Sequence, residues 1–148
     1  MPYELFSDEY YMNEALKEAK KAFDKDEVPV GAVIVAKNHI IARAHNLTET
    51  LNDVTAHAEM QVITAAASAI GGKYLTDCTL YVTVEPCFMC AGALSWAQIT
   101  RVVYGATDPK KGFMRSDYPL LHKKTQVTAN VLRDECASLM KQFFQQKR

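Results

Sequence analysis

Two short segments, His57-Ala58-Glu59 and Pro86-Cys87-Phe88-Met89-Cys90, constrain this chain more than anything else in it. Cys87 and Cys90, at i and i+3, put both sulfurs on one side of a helix's first turn, where the positive end of the helix favours thiolates. His57 opens a different predicted helix. On a regular helix His57 and Glu59, at i and i+2, would point to nearly opposite sides. They can serve one site only beyond a helix tip, where first-turn side chains converge. A fold that uses both segments together must therefore bring two helix N-termini face to face.

The side chains name a chemistry. One imidazole, two ionisable thiols and a spare carboxylate are the inventory of a catalytic zinc site, with three protein ligands, a fourth position for water and an acid/base beside it. A structural zinc site would close the tetrahedron with a fourth Cys or His. Glu59 can take a proton from the acidified water and pass it to a leaving group. Expelling ammonia from an aromatic amidine needs this combination, because the amine leaves only once protonated. A Cys-x-x-Cys pair by itself also fits structural zinc or redox chemistry, and His-x-Glu by itself carries little. Their order, the Pro before the first Cys and the strand–helix context of both segments favour the catalytic reading. Cys78 and Cys136 have no ligand partners in sequence and read as core or near-surface thiols. His39 and His122 read as solvated.

Residues 8–24 place Met12, Ala15, Leu16, Ala19, Ala22 and Phe23 at three- and four-residue spacing, an amphipathic helix capped by Ser7 or Asp8. Pro29 to Val35 reads as a strand, Lys37-Asn38 as a turn, and Ile40 to Ala44 as the second arm of an antiparallel hairpin. Residues 45–54 form a loop that delivers His57 to a helix over Ala56–Ile70, stopped by Gly71-Gly72. A buried strand over Thr79–Val84 precedes Pro86, which opens a helix to about Ala97. Arg101–Gly105 is a strand, residues 106–124 are mostly loop, Gln126–Val131 is a last short strand, and Glu135 to about Phe144 is a closing helix with Cys136, Leu139, Met140 and Phe143 inward. The alternation of strands and helices from residue 79 argues for parallel pairing there. The expected fold is a three-layer α/β/α sandwich with a mixed sheet of about five strands.

At 148 residues the chain reads as a single domain, 1–148, large enough to bury a core without staples. Its formal net charge is zero, so a nucleic-acid partner would need a local patch. Met1-Pro2-Tyr3-Glu4-Leu5 lacks the pattern of a signal peptide. No apolar run approaches the roughly 20 residues of a membrane helix. The expectation is a cytoplasmic protein without membrane association, its four cysteines thiols or ligands rather than disulfides.

His57-Ala58-Glu59 with Pro86-Cys87-x-x-Cys90 resembles the signature of the zinc-dependent nucleoside and nucleobase deaminases. Glu27 to Val33, Thr55 to Glu59, Leu80 to Ala93, Arg101 to Ala106, Asp108-x-Lys110-x-Gly112 and the closing Asp134–Phe144 helix closely resemble the bacterial tRNA-specific adenosine deaminases. The resemblance covers roughly residues 9–146. It implies that His57, Cys87 and Cys90 hold one zinc ion per subunit and that Glu59 shuttles protons. It implies that Asn46 hydrogen-bonds the target base, that Pro29 and Val30 wall the pocket, and that the Ala58 backbone faces the base. It further implies a homodimer that converts adenosine to inosine at the wobble position of a tRNA anticodon.

Residues 101–124 hold six basic side chains (Arg101, Lys110, Lys111, Arg115, Lys123, Lys124) against Asp108 and Asp117. Lys141, Lys147 and Arg148 add charge in the tail. Lys110, Lys111 and Arg115 are the candidate RNA backbone contacts; a solvated loop is the competing reading. Phe143-Phe144 could stack a base or sit in the core. The chain departs from the family at Phe113–Pro119, which is bulkier, at the stretch up to Gln126, which is shorter, and at Leu47-Thr48-Glu49-Thr50. Two competitors to the tRNA reading stand. One is a deaminase of a free base or nucleoside, of guanine or cytosine type. The other is a catalytically silent, zinc-stabilised binding subunit, in which Glu59 would have no purpose.

Overall fold

A computed structural model describes residues 3–147; Met1 and Pro2 of the N-terminal reading and Arg148 of the basic tail lie outside the described residues. Helix α1 spans Asp8–Asp24, and its N-cap Ser7 accepts a hydrogen bond from the Tyr10 N–H at 3.1 Å. Strands β1 (Gly31–Ala36) and β2 (His39–His45) form the expected hairpin, turning through Lys37 and Asn38, both at positive φ. Paired positive φ angles match the right-handed twist of the flanking strands. Helix α2 (Ala58–Ile70) ends at Gly71, whose φ of 74° closes it. Strand β3 (Cys78–Val84), helix α3 (Phe88–Trp96), strand β4 (Arg101–Ala106), a 3₁₀ turn (Phe113–Arg115), strand β5 (Gln126–Thr128) and helix α4 (Arg133–Gln146) complete the chain.

The sheet runs β2-β1-β3-β4-β5, with β1 antiparallel to both neighbours and β3, β4 and β5 parallel. Alternating side chains give it two apolar faces. Ala32, Ile34, Leu80, Val82, Val102 and Tyr104 pack with α2 and α3, while Val33, Val35, Tyr81 and Val103 pack with α1 and Cys136 of α4. The three-layer α/β/α sandwich is thus as expected, and Cys78 and Cys136 are core thiols. On the α1 face the approach is very close. A Cβ on Gly31 would lie 2.1 Å from the Ala15 carbonyl oxygen and 2.3 Å from the Ala19 nitrogen, so the α1 backbone rests directly on β1.

Several boundaries differ from the sequence reading. Val30 N–H donates to the Val28 carbonyl at 2.8 Å, a tight bend that delays β1 until Gly31. Pro86 stays outside α3, because Cys87 is its N-cap. The last strand stops at Thr128 instead of Val131, and α4 begins two residues before Glu135, at Arg133. In α4, Phe143 is buried against Phe23, but Phe144 is 46% exposed and Leu139 and Met140 are only half-buried.

Register places the site. Gly31 pairs with His45 and Ala32 with Val82, so β1 begins at the end of the sheet where β2, β3 and β4 finish. The segments 28–30, 46–57, 85–87 and 107–115 all gather at that end.

Candidate active site

His57 and Cys87 are the N-cap residues of α2 and α3, both with extended backbone and neither spending its side chain on a capping bond. Cys90 follows in the first turn of α3. The two helix tips face each other, with His57 Nδ1 3.7 Å from Cys87 Sγ and 3.4 Å from Cys90 Sγ. Ordinary Zn–N and Zn–S bonds at tetrahedral angles separate nitrogen from sulfur by about 3.6 Å. All three donor atoms lie within 4.8 Å of one another, so this triad fits a zinc ion. Both helix dipoles direct their positive ends at it.

The electrostatics agree with metal ligation. Cys87 is drawn down to about 4, chiefly by a hydrogen bond from the Cys90 thiol and with help from His57. Cys90 is pushed up by that same bond and by burial, and His57 is raised by its bond to Cys87. Glu59, 4% exposed, is pushed up to about 7 by burial. A buried carboxyl near neutrality can both take and give a proton.

These groups floor a cavity of about 240 Å³, lined among others by Val28, Val30, Asn46, Ala58, Asp108 and Lys111. Asn46 is buried. Its N–H donates to the Val30 carbonyl at 3.1 Å, and its Nδ2 and Oδ1 bond the Val28 carbonyl and the Thr48 N–H, each at 3.4 Å. The wall is Val28 and Val30. Pro29, the expected wall residue, is buried at the apex of the bend and does not line the cavity.

The cavity opens into a groove of about 920 Å³ that runs over Asp108–Lys111 to Met140, Phe144 and Lys147 of the α4 end. The six basic side chains of 101–124 are not one patch. Arg101 begins β4 at the opposite end of the sheet, paired with Asp8 at 2.7 and 2.8 Å. Lys123 and Lys124 precede β5, whose first residue pairs with Arg101. Lys110 and Lys111 do line the groove. Arg115 turns its guanidinium onto the Lys110 carbonyl at 2.6 Å.

Three residues important to this geometry escape sequence reasoning. Glu27, 0% exposed, accepts bonds from the Glu49 N–H (3.1 Å) and from the Thr50 N–H and Oγ1 (both 2.6 Å), holding the loop between β2 and α2. Gln61 Nε2 donates to the His45 carbonyl at 2.7 Å and the Ala56 carbonyl at 3.1 Å, fixing both ends of that loop. Glu85 holds the loop after β4 through the Asp108 and Met114 N–H groups at 3.0 and 2.9 Å. The Thr50 hydroxyl apart, all their partners are backbone atoms, which every residue carries, so no motif announces them.

An open His/Cys/Cys centre on paired helix tips of such a sandwich defines a deaminase, and the model of the MafB19-like deaminase family matches residues 6–148. The chain is 49% identical over 146 residues to the tRNA-specific adenosine deaminase of Bacillus subtilis strain 168, covering 95% of this chain and 91% of that protein. It is 46% identical over 144 residues to the protein of the same name from Agrobacterium fabrum, with 94% and 95% covered. A structure solved in a study of A-to-I editing by tRNA:A34 deaminases at the wobble position of transfer RNA superposes with a TM-score of 0.83 at 46% identity, covering 88% of this chain and 98% of that one. The chain belongs to the tRNA-specific adenosine deaminase family.

Proposed function

We propose that residues 1–148 form one zinc-dependent deaminase domain that hydrolyses adenosine to inosine at the wobble position of a tRNA anticodon. The observation that carries this reading is a base-sized cavity with the His57/Cys87/Cys90 triad and Glu59 at its floor, opening into a groove that two lysines border. Zinc bound by the triad supplies an acidified water at neutral pH. Glu59 takes a proton from that water and delivers it to the departing amine, which leaves as ammonia. Asn46, fixed through its backbone and amide, and the Ala58 backbone hold the base's polar edge. Val28 and Val30 press on its apolar face. Lys110 and Lys111 meet the flanking phosphates, while Arg115 braces the loop that carries them.

The homodimer belongs to the same reading. Trp96 on α3 is 84% exposed and shares a surface depression with Tyr74, an apolar area suited to a second copy. Among the described residues, no helix is long and apolar enough to cross a membrane.

The test is zinc-loaded protein offered anticodon stem-loops with adenosine at the wobble position, free adenosine, guanine and cytidine, reading ammonia and inosine. Inosine in the stem-loop is the expected product. Ammonia from free guanine or cytidine, with the stem-loop untouched, would transfer the chain to the free-base reading.

A further inference from the structure

Glu85 lies between the last residue of β3 and the Pro86-Cys87 ligand segment, and it is 3% exposed. Both carboxylate oxygens are committed. Oε1 accepts from the Asp108 N–H at 3.0 Å, and Oε2 accepts from the Met114 N–H at 2.9 Å. The bridged amides are six residues apart, so one side chain closes the whole loop on itself. The backbone tightens the same junction. Glu85 N–H donates to the Ala106 carbonyl at 2.8 Å, Phe113 N–H donates to the Pro86 carbonyl at 2.9 Å, and Cys87 forms an isolated bridge with Gly112. A Cβ on Gly112 would lie 2.2 Å from the Glu85 carboxylate, so only glycine leaves room for the clamp.

From Glu85 the order passes outward. Asp108, held by its N–H, turns Oδ1 onto the Lys110 and Lys111 N–H groups, both at 3.0 Å. These are the two lysines that border the groove. With each oxygen satisfied by a backbone donor, Glu85 is not available as a second acid or base. Only a bidentate acceptor serves here, since an amide would turn an NH₂ towards one of the two N–H donors.

We infer that Glu85 is a positioning residue that sets the register of the 107–114 loop against the cysteine segment, and so decides how well the groove engages nucleotides flanking the target base. The kinetic part of this inference rests on the wobble-deaminase reading. The structural part does not, which lets the two fail separately.

The experiment compares wild type with Glu85→Gln, and with Gly112→Ala as a second way to spread the clamp while keeping the carboxylate. Zinc content, amide hydrogen exchange, and kcat and KM on a stem-loop at several salt concentrations are measured. One zinc per chain is expected in every protein, with faster exchange confined to 107–114. Losing one charge-assisted bond is expected to raise KM about 10-fold while kcat stays within about 3-fold. The dependence of KM on salt becomes shallower, because misplaced lysines release fewer counterions. Should Glu85→Gln not fold, Gly112→Ala must show this pattern by itself. Zinc loss, exchange that accelerates throughout the sheet, or a fall in kcat at unchanged KM and salt slope would each overturn the inference in favour of a purely structural role. If wild type leaves the stem-loop untouched, the wobble reading fails, and unaltered 107–114 exchange in both variants would then sink the clamp as well.

Discussion

The triad and the rim of the same cavity are built in opposite ways. His57, Cys87 and Cys90 sit on the tips of two helices that the sheet presses together, and their positions follow from backbone geometry within four residues of sequence. The rim is two irregular loops, each closed by a buried carboxylate, Glu27 on one side and Glu85 on the other, with partners 22–29 residues away. The centre can therefore keep one chemistry while the rim changes its loops. Residues 47–50 and 113–119, where the chain departs from its family, both lie within or beside these two loops.

Removing a ligand should separate the regions most sharply. Cys87→Ala or His57→Ala is expected to abolish zinc binding and activity and to lower the unfolding temperature, since ligation energy is folding energy. Metal analysis and thermal unfolding check this, and full zinc occupancy in either variant would remove that residue from the ligand set. Glu59→Gln is next. Zinc and fold should be retained while kcat falls about 10²–10⁴-fold, the usual worth of a positioned proton carrier. Unchanged turnover would leave the proton shuttle without its residue. On the rim, Glu27→Gln sets an NH₂ against backbone donors and is expected to cost about 1–3 kcal/mol in urea unfolding. Zinc content should stay the same, so a loss of metal there would break the separation between rim and centre.

The smallest effect belongs to the end of the sheet remote from both. The Arg101 guanidinium, joined by the Tyr81 hydroxyl, holds the Asp8 carboxyl below the usual carboxylate range. The folded chain therefore gives up this proton more readily than the unfolded one. The resulting stability is complete above about pH 4, the ordinary Asp value, and fades as pH falls through the lower folded value. Because the pair is partly exposed, the step should be at most about 1 kcal/mol. Asp8→Asn should flatten it in unfolding measured from pH 2 to 6, and deamination at neutral pH should not change. A step of equal size in Asp8→Asn would assign it elsewhere.

What could be read from the sequence follows the same division. Helix α1 runs over Asp8–Asp24 as its periodicity and the Ser7 cap require, because its apolar face is local information. The zinc ligands were legible for the same reason, with their spacing set by one helical turn. Asn46 and the pocket wall came through resemblance, and the wall shows how that can miss. The bend at Val28–Val30 sends Pro29 away from the cavity and brings in Val28. The strand after the long loop was drawn too long, since Ala129 to Val131 carry apolar side chains without a ladder partner to hold them as a strand. Charge counting joined Arg101 to Lys110 and Lys111, though the length of β4 separates them. Glu27 and Glu85 stayed silent because a carboxylate that binds N–H groups looks, in sequence, like any other acidic residue near a loop.

Gly31 carries a consequence for anyone wishing to widen the substrate range. The valine wall enters β1 at a residue whose backbone already touches α1, so this wall has nowhere to recede. Room for a bulkier base has to come from trimming, with Val28→Ala or Val30→Ala removing side-chain volume while the main chain stays put. Any substitution at position 31 itself would lift the helix off the sheet and deform the cavity instead of enlarging it.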